Sequence, residues 1–135
     1  MQIKKVVVIG SGTMGSGIAA HLCNANIPVT LLDLKTEISE QARDKIYKSK
    51  PPLLLDKSKI NNIKVGNIND NFEIVKDADW VVEAVVERID IKHNIYEKIF
   101  KERKDGAIVS SNTSSIPIKV LSEYLTATEK KDFCI

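Results

Sequence analysis

Short apolar runs alternate with amphipathic stretches along this chain. The run "KKVVVIG" is β-branched and too uniformly apolar for a half-exposed strand, so it predicts a central strand at Lys5 to Ile9, covered on both faces. Apolar residues then recur at helical spacing and predict a helix over Thr13 to Asn26. The predicted sheet-facing stripe of this helix contains Met14, Ile18, Leu22 and Ala25.

The same alternation continues to the last residue. "IPVTLLDL" predicts a second buried strand, and Glu37 to Lys50 a lysine-rich helix that ends at Pro51. Further strands are predicted at "IKVGN", "DWVVEAVVE", "GAIVSS" and the closing "FCI", and further helical stretches at "DNFEIVKDA", Asp90 to Lys104 and "IPIKVLSEYL". Strands and helices joined by short links predict an α/β protein with a Rossmann-like, doubly wound, mostly parallel sheet and helices on both faces.

Composition narrows the class of protein. The 135 residues are 43% hydrophobic and 28% charged, as expected for one soluble domain. A net charge of +2 is too small to indicate a nucleic-acid partner, and no apolar stretch is long enough for a membrane span. Cys23 and Cys134 lack metal-binding or redox spacing and are interpreted as free thiols. We therefore expect a cytoplasmic protein with no membrane partner and no metal site.

The first loop has the composition of a phosphate-binding turn. Gly10, Gly12 and Gly15 form GxGxxG directly after a strand and at the start of a helix, with Ser11, Thr13 and Met14 between them. The second predicted strand ends in Asp33, about 20 residues further on, as the dinucleotide fingerprint requires. A carboxylate at that position accepts hydrogen bonds from ribose hydroxyls and repels a 2′-phosphate, so the pattern favours NAD over NADP. FAD remains an alternative, because flavoproteins share the fingerprint.

A second group of polar residues follows the later strands. Glu87 falls at the end of the "DWVVEAVVE" strand, with Glu83 inside it, and Lys92 lies near the start of the next helix. "SSNTSSIP" brings hydroxyl and amide groups to the same predicted sheet edge. These residues have two interpretations from chemistry alone. They either contact a ligand, or they favour the start of a helix as an N-terminal acid and as N-capping hydroxyls.

Three separated segments resemble one known family. "VVVIGSGTMGSGIAAHLCNANIPVTLLD", "ADWVVEAVVERIDIKHNIYEKI" and "GAIVSSNTSSIPI" are similar, in order and spacing, to the NAD-binding domain of the 3-hydroxyacyl-CoA dehydrogenases of fatty-acid β-oxidation. The middle of the chain is most similar to the long members that carry a fused hydratase-like region. The resemblance implies an oxidoreductase that uses NAD and takes a 3-hydroxyacyl-CoA as substrate.

The resemblance also implies roles for individual residues. The loop from Gly10 to Gly15 would hold the pyrophosphate and Asp33 the adenosine ribose. Ala84 and Glu87 would lie by the nicotinamide, with Lys92 near the same half of the cofactor. Ser114 matches the family's active-site serine, which hydrogen-bonds the 3-oxygen region of the substrate.

The end of the chain bears on the predicted activity. In the family, the strand that matches "FCI" leads into a His-Phe-Phe-Asn-Pro motif, whose histidine is the catalytic acid/base. Residues 1–135 are therefore expected to form an NAD-binding domain that is incomplete at its C-terminal end, without the helical domain for substrate and dimerisation. His21 and His93 are not expected to replace that histidine.

Three functional hypotheses remain open from the sequence. The first is an NAD-dependent 3-hydroxyacyl-CoA dehydrogenase, of which these residues alone are expected to be inactive. The second is a binding module that either holds NAD without catalysing a reaction or works only with a partner chain that carries the catalytic half. The third is a related β-hydroxyacid or nucleotide-sugar dehydrogenase, which predicts neither the pair Glu87 and Lys92 nor "SNTSS" in this order.

Overall fold

Six parallel strands form the single sheet of the computed structural model, which describes residues 2–135. Their spatial order is β3-β2-β1-β4-β5-β6, so the chain starts in the middle, builds outward to one edge and then crosses to build the other. The strands are β1 Val6–Ile9, β2 Val29–Asp33, β3 Ile63–Asn67, β4 Trp80–Glu83, β5 Ile108–Ser111 and β6 Phe133–Cys134. This arrangement confirms the predicted Rossmann-like, doubly wound fold.

Helices connect the strands and cover both faces of the sheet. The α-helices are α1 Thr13–Asn24, α2 Thr36–Lys48, α3 Ile89–Glu102, α4 Ile118–Leu121 and α5 Ala127–Lys130, and 3₁₀ helices span Lys57–Asn62 and Phe72–Asp77. The predicted helix in "IPIKVLSEYL" is wrong in extent, because α4 is a single turn and the chain bends again before α5. No helix within residues 2–135 combines the length and apolar character needed to cross a membrane, and the cytoplasmic location stays a prediction.

The core has two layers, one on each face of the sheet. All four residues of β1 are buried, and they alternate between the layers. Val6 and Val8 pack towards α1 and α2, whereas Val7 and Ile9 pack towards α3. This alternation with both faces covered explains why a uniformly apolar run forms the central strand.

The predicted stripe of α1 is partly wrong. Met14 is 59% exposed, and Ala25 lies beyond the helix and is exposed. The buried residues are instead Gly15, Ala19, Ala20, Leu22 and Cys23. Small residues dominate this face because they allow the helix to approach the sheet closely, which hydrophobic spacing alone does not reveal.

The core makes one substitution directly testable. Leu31 in β2 is fully buried, so we expect Leu31→Ala to lower the free energy of unfolding by about 2–5 kcal/mol, from lost burial and the cavity it leaves. Leu55 is 89% exposed, and Leu55→Ala is the matched control, with an expected change within about 0.5 kcal/mol. Urea unfolding followed by circular dichroism measures both. Equal losses for the two variants would contradict the assigned core.

Candidate functional site

The turn between β1 and α1 is in very close contact with the end of β4. Gly10 has a positive φ of 104°, and a Cβ atom there would lie 2.3 Å from the carbonyl oxygen of Ala84. A Cβ on Gly15 would lie 1.8 Å from the carbonyl oxygen of Gly10. Only glycine fits at either position, so these two residues allow the turn to reach over the strand ends.

The N-terminus of α1 is available to an anion. Among the described residues, no side chain caps this helix and no acidic residue lies in its first turn. Gly12 is the N-cap, and no described heavy atom lies within 4 Å of the position that a Cβ would take there. Free amide donors, the positive end of the helix dipole and open space above Gly12 together suit a pyrophosphate.

Asp33 is tied to the glycine turn from the end of β2. Its Oδ2 accepts hydrogen bonds from the backbone N of Ser11 (2.8 Å) and from Ser11 Oγ (2.5 Å). Its Oδ1 accepts one from the backbone N of Leu34 at 2.7 Å. A carboxylate offers about four lone-pair positions, so Asp33 retains capacity for a ribose hydroxyl. Asp33 therefore fixes the shape of the turn and also lines a cavity next to it.

These residues border one cavity of about 640 Å³ at the carboxyl edge of the sheet. A volume of this size is typical of small-molecule sites. Apolar side chains form its wall next to Asp33, and the main members are Leu34, Ile38 and Ile68. The predicted site residues that line the cavity are Gly10, Ser11, Gly12, Thr13, Met14, Asp33, Ala84, Glu87 and Ser114.

Glu87 joins the loop after β4 to the loop after β5. Its Oε1 accepts a hydrogen bond from Thr113 Oγ1 at 2.8 Å, and its Oε2 accepts one from the backbone N of Ser114 at 3.2 Å. These bonds, together with the nearby Lys92 ammonium, lower the pKa of Glu87 to about 2. Glu87 is thus an anion at neutral pH and holds the segment that carries Ser114.

Below this loop lies a buried polar network, in which Tyr96 and Ser111 are residues that the sequence did not identify as part of a site. Glu83 accepts hydrogen bonds from Lys92 Nζ at 2.7 Å and from the hydroxyls of Tyr96 and Ser111 at 2.6 Å each. The side chains of Glu83 and Lys92 have no solvent exposure. Burial and the neighbouring Glu83 carboxylate raise the pKa of Tyr96, which keeps its hydroxyl protonated as a donor. The available sequence signal was an acid within an apolar strand, which needs a buried partner.

Two predicted site residues do not line the cavity: Gly15, which packs against the Gly10 carbonyl, and Lys92. Lys92 lies beneath Glu87, with its Nζ 3.3 Å from Glu87 Oε1. The assignment of both residues to cofactor binding stays a prediction, as do the roles of the lining residues. His93 has its Nε2 2.9 Å from the carbonyl oxygen of Val120, and His21 is exposed in the last turn of α1.

The fold and the site together define the class of protein. This is a dinucleotide-binding domain. Its defining features are the strand order of the parallel sheet, the glycine turn at a helix N-terminus without a side-chain cap, and the acid at the end of β2. The family model described as "3-hydroxyacyl-CoA dehydrogenase, NAD binding domain" matches residues 5–135. The chain belongs to the 3-hydroxyacyl-CoA dehydrogenase family, in which it corresponds to the NAD-binding domain.

Individual relatives agree with this assignment. A Rickettsia felis protein, named as a putative fatty acid oxidation complex trifunctional enzyme, is 43% identical over 99% of this chain and 20% of its own length. A "Probable 3-hydroxyacyl-CoA dehydrogenase" of Deinococcus radiodurans is 42% identical over 91% of this chain and 38% of its own. The chain thus spans well under half the length of these relatives.

A solved structure has the same fold. The crystal structure of 3-hydroxybutyryl-CoA dehydrogenase from Escherichia coli superposes with a TM-score of 0.84 at 24% sequence identity. The match covers 98% of this chain and 29% of that one. The arrangement of strands and helices described above is therefore shared with an experimental structure.

The tight contact in the glycine turn leads to a prediction about stability. We expect Gly15→Ala to lower the free energy of unfolding by about 1–3 kcal/mol, because the new methyl group collides with the Gly10 carbonyl. Gly17 lies in the same helix, and a methyl group there would meet no described atom within 4 Å, so Gly17→Ala is the matched control. This control should leave stability unchanged or raise it by up to about 1 kcal/mol through helix propensity. Thermal unfolding compares the two, and similar behaviour would contradict the described packing.

Proposed function

We propose that the chain supplies the cofactor half of a 3-hydroxyacyl-CoA dehydrogenase, with NAD held in the cavity at the carboxyl edge of the sheet. One observation carries this proposal: the glycine turn, Asp33 and the segment of Glu87 and Ser114 border the same cavity. The amides at the start of α1 would bind the pyrophosphate and Asp33 the adenosine ribose. The apolar wall of Leu34, Ile38 and Ile68 suits the adenine ring.

The opposite end of the cavity would receive the reacting groups. Ala84, Glu87 and Ser114 line the cavity after β4 and β5, which lie on the side of β1 away from β2. The chemistry supplied by a bound NAD⁺ is acceptance of a hydride from the carbon that bears the 3-hydroxyl. Ser114 would hydrogen-bond the substrate oxygen, and Glu87 would hold Ser114 in place through its backbone N. We propose 3-hydroxyacyl-CoA as the substrate because the family model and the Deinococcus radiodurans relative are both named for 3-hydroxyacyl-CoA dehydrogenase.

Oxidation of the hydroxyl also releases a proton, which must pass to a general base. A positioned base contributes about 10²–10⁴-fold to such a step. The contacts of His93 with Val120 and the position of His21 on α1 place both imidazoles outside the set of residues that line the described cavity. We therefore propose that these 135 residues alone bind the cofactor without turning substrate over.

A second candidate is a binding module that works with a separate chain. The apolar surface around Trp80, Ile108 and Ile135, on the face of the sheet near α1, offers a place for such a chain. A catalytic polypeptide that restores turnover when mixed with this one would support a split enzyme. A chain that binds NAD but never supports turnover would be a silent module.

The choice between NAD and NADP is predicted to depend on Asp33. We expect Asp33→Ala to weaken NADH binding by about 1.5–3 kcal/mol, since charge-assisted hydrogen bonds are lost, and to narrow the preference for NADH over NADPH. Calorimetric titration with each nucleotide measures both effects.

The control for this experiment separates charge from loop shape. Ser11→Ala removes the hydroxyl that contacts Asp33 but keeps the carboxylate, so it should affect both nucleotides by the same factor. Equal affinity of the wild-type chain for NADH and NADPH would contradict the proposed role of Asp33.

The absence of turnover is tested with the purified chain, NAD⁺ and 3-hydroxybutyryl-CoA. We expect NADH binding by calorimetry but no NADH formation above background by absorbance. Ser114→Ala is the control, because a rate that survives this substitution comes from a contaminating enzyme. A rate in the wild-type chain that Ser114→Ala abolishes would overturn the proposal and show that a base is present within the chain.

A further inference from the structure

The carboxylate of Glu83 is fully enclosed and fully hydrogen-bonded. It accepts from the backbone N of Val85 at 2.8 Å, from Lys92 Nζ at 2.7 Å, and from the hydroxyls of Tyr96 and Ser111 at 2.6 Å each. These donors come from the loop after β4, from α3 and from β5. Glu83 therefore ties three elements together at the carboxyl edge of the sheet.

Lys92 extends this network from the core towards the cavity. Its Nζ lies 2.7 Å from Glu83 Oε2 and 3.3 Å from Glu87 Oε1, and its side chain is completely buried. The side chain of Glu87 is 35% exposed, and its carboxylate accepts the hydrogen bonds from Thr113 and Ser114. A continuous chain of contacts thus runs from Glu83 through Lys92 and Glu87 to the backbone of Ser114.

The stability of the fold does not by itself account for this arrangement. Burial of two charged side chains carries a large desolvation penalty, and apolar residues of similar volume often fill the same space at least as well. Every buried side-chain nitrogen and oxygen in residues 2–135 has at least one hydrogen-bond partner. A fully satisfied network in a dry environment has a well-defined geometry, which is the property that a binding site needs.

We infer that Glu83 and Lys92 are positioning residues for the cavity: they fix Glu87, and through it the Thr113–Ser114 segment, where cofactor and substrate would meet. Lys92 then acts on the cavity through Glu87, whose Oε1 lies 3.3 Å from the Lys92 Nζ. The inference deepens the proposed function and rests on it for the link to NADH binding. The part that concerns the Ser114 backbone is independent of any ligand.

The test is the double variant Glu83→Gln with Lys92→Met. It removes both buried charges and approximately keeps the side-chain volumes, so that neither charge is left without its partner. Without the Lys92 ammonium group, the Glu87 carboxylate loses its ion-pair partner. We expect the amide resonance of Ser114 in ¹H–¹⁵N spectra of the ligand-free chain to move upfield and to exchange faster with solvent. We also expect NADH affinity in calorimetry to fall about tenfold, the size typical of coupling through such networks.

A second ion pair provides the matched control. Arg103 and Asp132 form a partly buried bridge of 2.7 Å that lies outside the set of residues lining the described cavity. The double variant Arg103→Met with Asp132→Asn removes this pair in the same manner. It should leave the Ser114 resonance and the NADH affinity as they are in the wild-type chain.

Each outcome decides the inference. Wild-type NADH affinity in the Glu83 and Lys92 double variant overturns it, whatever happens to the Ser114 resonance. Failure of this variant to fold also overturns it, because the network would then serve the fold alone. If the wild-type chain binds no NADH, the proposed function fails and the Ser114 resonance alone decides: a shift supports the positioning role, and an unmoved resonance overturns it.

Discussion

The close backbone contact between the glycine turn and the end of β4 is the constraint on which the site depends. Hydrogen atoms are the only substituents that fit between Gly10, Gly15 and the Ala84 carbonyl. Because of this fit, α1 starts directly above the two central strands, at the point where the strand order reverses. A crevice opens at such a reversal, and the free amides of α1 face it.

The parallel sheet brings distant residues to this crevice. In the register of the strands, Ile9 pairs with Leu32 on one side and with Glu83 on the other, and Glu83 pairs with Ser111. The residues that follow these positions therefore emerge at one edge, although they are far apart along the chain. The carboxyl ends of β2, β4 and β5 supply the groups that meet at the cavity, as expected for open α/β sheets.

Charge is distributed within this edge according to burial. Asp33 and Glu87 are partly accessible and border the cavity, whereas Glu83 and Lys92 are sealed below it. The sealed pair neutralises itself, and Glu87 adds one further negative charge that its hydrogen bonds keep ionised. The position of Glu87 at the cavity thus depends on the buried pair of Glu83 and Lys92. A substitution in this pair will affect the cavity through the contact between Lys92 and Glu87.

The sequence by itself determined the parallel α/β class, the glycine turn and the position of Asp33 as the acid at the end of β2, because these depend on local periodicity and on conformations that only glycine adopts. Tertiary structure decided what periodicity could not. Met14 is exposed although it fits the helical stripe, since the depth of α1 against the sheet is set by Gly15 and Ala19. Lys92 is buried although lysine is usually exposed, because its partners come from β4 and from the following loop. Whether a charged side chain faces solvent or pairs inside depends on contacts between segments, and these exist only once the chain has folded.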